Sequence, residues 1–331
     1  MIAREYIRKK LDVSEREGII GSSSVGAVAG IEGRVTEYSV YRSFTGAKDS
    51  TDSDTQWTYD KGHILEEPTA KMFEKLTGLT LSEPDEAYVD ADHPELICHP
   101  DREFSIERKG LRCALEIKTT ELFAAKASWG IPEPVWDTEM PEDVTVYSGD
   151  GIPPQYYAQC QWYYAICGYD RVYLARFTDN EIFIYYVPEN AEFGKKLYDS
   201  VLEWIESVKN GYVPSPSTPG EIRLAYPKET KDTCLVADNS TMEIFRALQE
   251  ETRKKKDAEA KIDDLKAKLA LYMKDNEILV SNKGDKLLSF RVQKTQRIDT
   301  KRLRLEMPDI ADDYSYMTES RVLKVIPRKD V

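Results

Sequence analysis

Histidine and cysteine are scarce, three of the one and five of the other in 331 residues. Cys98, Cys113, Cys160, Cys167 and Cys234 form no C-x-x-C pair, and their odd number and wide scatter argue against a disulfide framework and against tetrahedral zinc. An iron–sulfur cluster needs four thiolates with a closely spaced group, and Cys234 is the only cysteine after Cys167. The sequence therefore offers no such cluster. His63, His93 and His99 match no familiar metal spacing. No apolar run approaches the roughly 18 residues of a membrane span. The opening "MIAREYIRKKLDVSEREG" has neither the apolar core nor the small-residue cleavage site of a signal peptide. These absences predict a cytoplasmic protein with no membrane segment. Positive charge is also short, and a net charge of -13 argues against indiscriminate binding to a polyanion.

What is present is globular in character, 41% hydrophobic and 32% charged. The charge is unevenly spread. Residues 1–225 hold 23 Lys and Arg against 39 Asp and Glu, whereas residues 226–331 hold 23 against 20. Two acidic stretches, 82–95 and 133–143, read as solvated loops. Three prolines within 212–222 break the chain, and domains are expected at 1–211 and 239–331 with a linker over 212–238.

Periodicity fills in the first domain. Residues 59–78 read as a helix ended by Gly78, with Ile64, Leu65, Met72, Phe73 and Leu76 on its apolar face. Residues 95–120 read as two strands joined at Lys109-Gly110, Asp101 ending the first. "PQYYAQCQWYYAICG" places Tyr156, Cys160, Tyr163 and Cys167 at helical spacing. Two strands and a helix near 190–209 follow. Beyond the linker, Ser240 and Glu243 suggest a capping box that opens a long helix. A hairpin over 277–295 and a short helix after Asp299 close the chain.

Within "CALEIKTT", Glu116 and Lys118 lie two apart in a strand and so emerge on one face, while Leu115 and Ile117 point the other way. A structural salt bridge explains the pair equally well. Asp101 lies fifteen residues earlier, and the intervening turn would bring its carboxylate to the same end of the adjacent strand. Asp101, Glu116 and the Ile117 carbonyl are oxygen donors of the kind that hold Mg²⁺. A cation there suits phosphodiester hydrolysis, because it neutralises phosphate charge and acidifies water. Lys118 on the same face would orient that water or stabilise the anionic transition state.

With these residues in place, the sequence resembles the YqaJ-like viral recombinase family, to which the lambda exonuclease type belongs, within the PD-(D/E)xK nucleases. Four segments between about Arg16 and Pro188 carry the resemblance: "REGIIGSSSVGAVAG", "GHILEEPTAKMFEKLTG", the Asp101–Glu116–Lys118 set, and "PQYYAQCQWYYAICGYDRVYLARF". The resemblance implies an α/β, restriction-endonuclease-like core with a central mixed β-sheet flanked by helices, plus a C-terminal long helix and a small α+β extension. It implies that Arg16 and Ser23 approach DNA phosphate, Ser23 also being a candidate helix cap. Glu66 is implied as a further carboxylate and metal ligand, and Gln159 as an active-site glutamine. Ser24 stands where the family usually has an acidic residue, and the segment 131–150 is longer than the family's pattern and is expected to line or gate the entrance.

The implied activity is 5′-to-3′ exonuclease action, dependent on Mg²⁺ with Mn²⁺ as a substitute, on linear double-stranded DNA ends. It leaves a 3′ single strand for recombination. The implied partners are a single-strand annealing protein and two further copies in a trimeric ring. An endonuclease of the same superfamily and a catalytically silent DNA-binding scaffold are the alternatives.

Overall fold

A computed structural model describes residues 6–10, 17–47, 53–121, 127–317 and 321–326, the side chains of 53–56, 58 and 59 aside. The chain divides into two compact units, Met1–Ala225 and Tyr226–Val331. The first contains, in order, β1 (Tyr6–Lys9), α1 (Val25–Val28), α2 (Glu37–Phe44), α3 (Ser53–Thr77), β2 (Ala87–Asp90), β3 (Ile97–Cys98), β4 (Arg102–Ile106) and β5 (Leu111–Thr119). It continues through β6 (Pro134–Val135), β7 (Val146–Ser148), α4 (Pro154–Cys167), β8 (Arg171–Thr178), β9 (Glu181–Val187), α5 (Ala191–Lys209) and α6 (Pro219–Ala225).

The central sheet has six strands in the order β4-β5-β8-β9-β7-β6, with β5–β8 and β7–β9 parallel and the other pairings antiparallel. A small antiparallel sheet, β1-β2-β3, lies beside it in the same unit. Pleating divides β5 between two layers. Cys113, Leu115 and Ile117 pack with Phe104, Tyr173 and the α3 residues Ala70 and Phe73. Ala114 faces the other way, into the cluster built by α4, α1 and α5. Glu116 and Lys118, in phase with Ala114, therefore face α4. Two apolar layers around one mixed sheet make this an α/β core, as the sequence predicts.

α4 is enclosed on every side, all ten residues from Ala158 to Cys167 being buried. A helix apolar all round belongs in an interior. Pro154 opens it, where a missing N–H costs nothing, and Gly168 closes it at φ 60°, a left-handed conformation that a Cβ would strain. Trp162 anchors it by donating to the Ile97 carbonyl at 2.9 Å. The turn between β4 and β5 uses Gly110 at φ 67° for the same reason.

Several expectations need correction. Asp101 precedes β4 instead of ending a strand, because the backbone from Ile97 to Cys98 pairs with β2 and a new strand begins at Arg102. The buried face of α3 is formed by Thr69, Ala70, Phe73 and Thr77, while Ile64 and Leu76 are exposed. Pro68 sits inside this helix. Phe73→Ala should cost about 3–5 kcal/mol through a core cavity, whereas Ile64→Ala should cost under about 0.5 kcal/mol, as read by urea denaturation of each variant.

The acidic stretches are not loops throughout. Residues 82–95 contain the fully buried strand β2, 133–143 contain β6, and the longer segment 131–150 adds β7 beside it at the sheet edge. Within 131–150, buried Glu139 is ion-paired with Lys109 at 2.5 Å, and Asp137 with Arg171 at 2.8 Å. The segment completes the sheet. Residues 212–225 of the expected linker fall in the first unit, where buried Glu221 of α6 accepts a hydrogen bond from the Thr36 hydroxyl. Ser24, not Ser23, is the N-cap of α1, and its side chain makes no capping bond.

In the second unit, α7 (Asn239–Met273) precedes the hairpin of β10 (Ile278–Val280) and β11 (Lys286–Ser289), then α8 (Thr300–Glu306) and α9 (Pro308–Asp313). Asp238 caps α7 by accepting from the Thr241 N–H at 2.7 Å, so the cap lies two residues before the expected Ser240. The basic run from Arg253 forms ion pairs along its own helix, Arg253 with Glu250 and Asp257, Lys254 with Glu251 and Lys255 with Glu259. It is a self-neutralised, solvated face.

Candidate active site

The C-terminal end of β5 collects the charges. The last pair of the β4–β5 ladder sets Arg102 opposite Leu115. Just beyond it, the Asp101 carboxylate accepts a hydrogen bond from the Ile117 N–H at 2.6 Å. A strand residue presents its N–H and C=O on one edge, so the Ile117 carbonyl also faces the β4 side, past the last ladder pair. On the α4 face, Glu116 accepts from three donors: the Lys118 ammonium, the Gln159 amide at 2.8 Å and the Tyr163 hydroxyl. Gln159 also donates to the Tyr163 oxygen at 3.1 Å. Lys118 lies 5.1 Å from the centre of the Tyr156 ring.

A second group of charges borders this one. Arg102, itself buried, donates to Glu66 at 2.7 Å and to Glu67 at 3.0 Å, and so ties α3 to the start of β4. Glu66 and Glu67 thus share one guanidinium. His63 approaches Glu66 at 3.7 Å.

The electrostatics follow from crowding. Burial pushes the Asp101 carboxyl well above its ordinary value, Glu116 adds to this and Lys118 opposes it, while Glu66 pushes it further up. Burial pulls the Lys118 pKa down, but Glu116 and Asp101 outweigh it and hold the ammonium above its usual range. The charges here are therefore an aspartate short of positive neighbours and a firmly protonated lysine. Burial and then Glu116 drive the Tyr163 phenol strongly upward, which keeps it a hydrogen-bond donor.

Asp101, Glu116, Lys118, Gln159 and the Ile117 backbone meet in one place, with Glu66 at its edge. Ser23 is exposed, and Arg16 lies outside the described residues. Sequence reasoning left Tyr163 among core or rim tyrosines and overlooked Arg102. Both carried a signal, since Tyr163 is four residues from Gln159 on one helix face and Arg102 adjoins Asp101.

Among the described residues, no three His, Cys, Asp or Glu side chains form a metal cage. A hard divalent ion that keeps its waters needs only one or two carboxylates. Asp101 and Glu116 with the Ile117 carbonyl fit that requirement. The upward push on Asp101 comes first from burial and then from the neighbouring carboxylates of Glu116 and Glu66.

Residues 13–170 match the family described as YqaJ-like viral recombinase domain. Similar solved structures include LHK-Exo in complex with dAMP, 15% identical, with a TM-score of 0.43 over 60% of this chain and 91% of that one. The alkaline exonuclease LHK-Exo from Laribacter hongkongensis is 15% identical, with a TM-score of 0.39 over 59% and 93%. A phage-related exonuclease from Haemophilus somnus 129PT is 14% identical, with a TM-score of 0.38 over 58% and 95%. No curated protein sequence matches.

Proposed function

We propose that this chain, whose residues 13–170 match the YqaJ-like viral recombinase domain, is a nuclease, a Mg²⁺-dependent exonuclease of linear duplex ends. The observation that carries this reading is the convergence of Asp101, Glu116, Lys118 and the Ile117 backbone at the end of β5.

The proposed ligands of the ion are Asp101, Glu116 and the Ile117 carbonyl, Mn²⁺ being an acceptable substitute, with Glu66 within reach as a further carboxylate. Bound there, the ion supplies neutralisation of the phosphate and acidification of the attacking water. Lys118, kept protonated by its two carboxylate neighbours, holds water or the developing oxyanion by its positive charge and does not remove a proton itself. Gln159 and Tyr163 fix the Glu116 carboxylate from behind, which sets the direction of its oxygens. Arg102 holds α3 against β4 through Glu66 and Glu67.

The family resemblance supports attack from the 5′ end, a remaining 3′ single strand, a trimeric ring and an annealing partner. The test uses linear duplex DNA labelled separately at its 5′ and 3′ ends, with Mg²⁺ or EDTA. The 5′ label should be released progressively in Mg²⁺ and be retained in EDTA, while closed circular DNA survives. Cutting of the circle would replace the exonuclease reading with an endonuclease, and binding with no cleavage would replace it with a scaffold.

A further inference from the structure

β8 lies next to β5, and Arg176 is the register partner of Lys118. Paired residues of neighbouring strands share a face, so Arg176 stands beside the catalytic cluster on the α4 side. It is 5% exposed. Among the described residues nothing accepts a hydrogen bond from its guanidinium, and its Nε is an orphaned buried donor.

Other arginines enclosed by the fold, the buried Arg102 and the half-buried Arg171, are treated differently. Arg102, equally buried at 5%, reaches Glu66 and Glu67, and Arg171, five residues earlier on the same strand, reaches Asp137 at 2.8 Å. Arg176 has aromatic rings instead, its Cζ lying 4.8 Å from the Trp129 centroid, 4.3 Å from that of Phe183 and 5.6 Å from that of Tyr185. Rings over the flat faces steady a guanidinium but leave its in-plane N–H groups unanswered. An uncompensated buried cation is costly to the fold. Burial accordingly weakens the hold of Arg176 on its proton, and no carboxylate opposes it.

The two other orphaned polar atoms among the described residues are the Thr178 and Tyr185 hydroxyls. By register, Arg176, Thr178 and Tyr185 all lie on one face of β8–β9. Buried polar groups are normally satisfied, and three orphans on one face call for a ligand with several acceptor oxygens. The aromatic wall also runs to the active site, since Trp129 lies 5.7 Å from Tyr156, whose ring adjoins Lys118.

Resting on the nuclease reading above, we infer that Arg176 is a phosphate-binding residue, taking the backbone phosphate next to the scissile one on the strand being cut. A planar fork of N–H donors matches phosphate oxygens, and the DNA supplies the charge that the fold withholds.

The test compares the parent with Arg176→Met and Arg176→Lys on a linear duplex. In Arg176→Met, KM should rise about tenfold or more, as expected for loss of a charged hydrogen bond. The slope of log(kcat/KM) against log salt should flatten by about 0.9. The thermal midpoint without DNA should hold or rise, because Met fills a similar volume without a charge. Arg176→Lys should keep the parent's salt slope with an intermediate KM. Unchanged KM and salt slope in Arg176→Met would overturn the inference. So would a thermal midpoint lowered in Arg176→Met and restored in Arg176→Lys, which marks a structural stack. If the parent cuts no DNA, the proposed function falls by itself. Anisotropy of a fluorescein-labelled duplex then decides Arg176, weaker binding by Arg176→Met supporting it and equal binding overturning it.

Discussion

Glu116→Gln should lower the rate of duplex degradation by about 10³-fold or more while leaving the protein folded. Several kcal/mol of transition-state stabilisation are expected of a bound cation at a phosphoryl centre, and each 1.36 kcal/mol is tenfold in rate. Removing the charge of Glu116 takes away a main attraction for the ion and leaves the position of the phosphate unchanged. The fold survives because the amide occupies the same space and meets the same neighbours. Its oxygen still accepts from Lys118 and Gln159, and its amino group faces the Tyr163 hydroxyl, which is able to turn from donor to acceptor. Glu116→Ala is a harsher change, since it strands Gln159 and Tyr163 without a carboxylate and should add a loss of stability. Cleavage assays beside thermal melts separate the two effects. A Glu116→Gln variant that cleaves within tenfold of the parent would remove Glu116 from the chemistry.

The E-x-K pair was legible because pleat geometry is local. Two residues apart in a strand share a face whatever the tertiary structure does. The position of Asp101 was harder to read. Its place relative to Glu116 depends on where β4 starts, and Ile97-Cys98 reads as strand while pairing in the other sheet. The α3 face was misread because Ile64 and Leu76 obey helical spacing yet remain exposed, Thr69 and Thr77 being buried in their stead. Composition cannot reveal that buried threonines satisfy themselves, as Thr77 does by donating to the Phe73 carbonyl at 2.8 Å. The 133–143 stretch failed in the opposite direction. Its acidity suggested solvent, but Asp137 and Glu139 have partners far along the chain, Arg171 and Lys109, and the sequence alone does not pair them. Arg176 was invisible for the same reason, since an arginine is noteworthy only once its missing counter-charge is seen.

Asp101→Asn should give effects of opposite sign on two measurements, activity falling by about 10²–10³-fold while the stability of the metal-free protein rises. The reasoning starts from the raised Asp101 carboxyl. Its folded form binds a proton more tightly than its unfolded form, so Asp101 supports the fold fully below the ordinary carboxylate pKa of about 3.9. That support is lost as pH rises through the elevated folded value. Above it the ionised carboxylate is a net burden, because burial, Glu116 and Glu66 together outweigh the pull of Lys118 and the hydrogen bond from Ile117. Asparagine keeps an oxygen for the Ile117 N–H and discards the charge. Mg²⁺ reverses the comparison. An ion that binds only the folded parent adds about 2.7 kcal/mol at one hundred times its dissociation constant. The variant, short of one anionic ligand, should gain little from the same addition. Thermal melts of both proteins in EDTA and in Mg²⁺ at neutral pH give the full comparison, with Asp101→Asn higher in EDTA and the parent gaining more from Mg²⁺. If Asp101→Asn melts lower than the parent in EDTA, the crowding of like charge at the end of β5 is not a cost to the fold, and the case for a cation between Asp101 and Glu116 loses its physical basis.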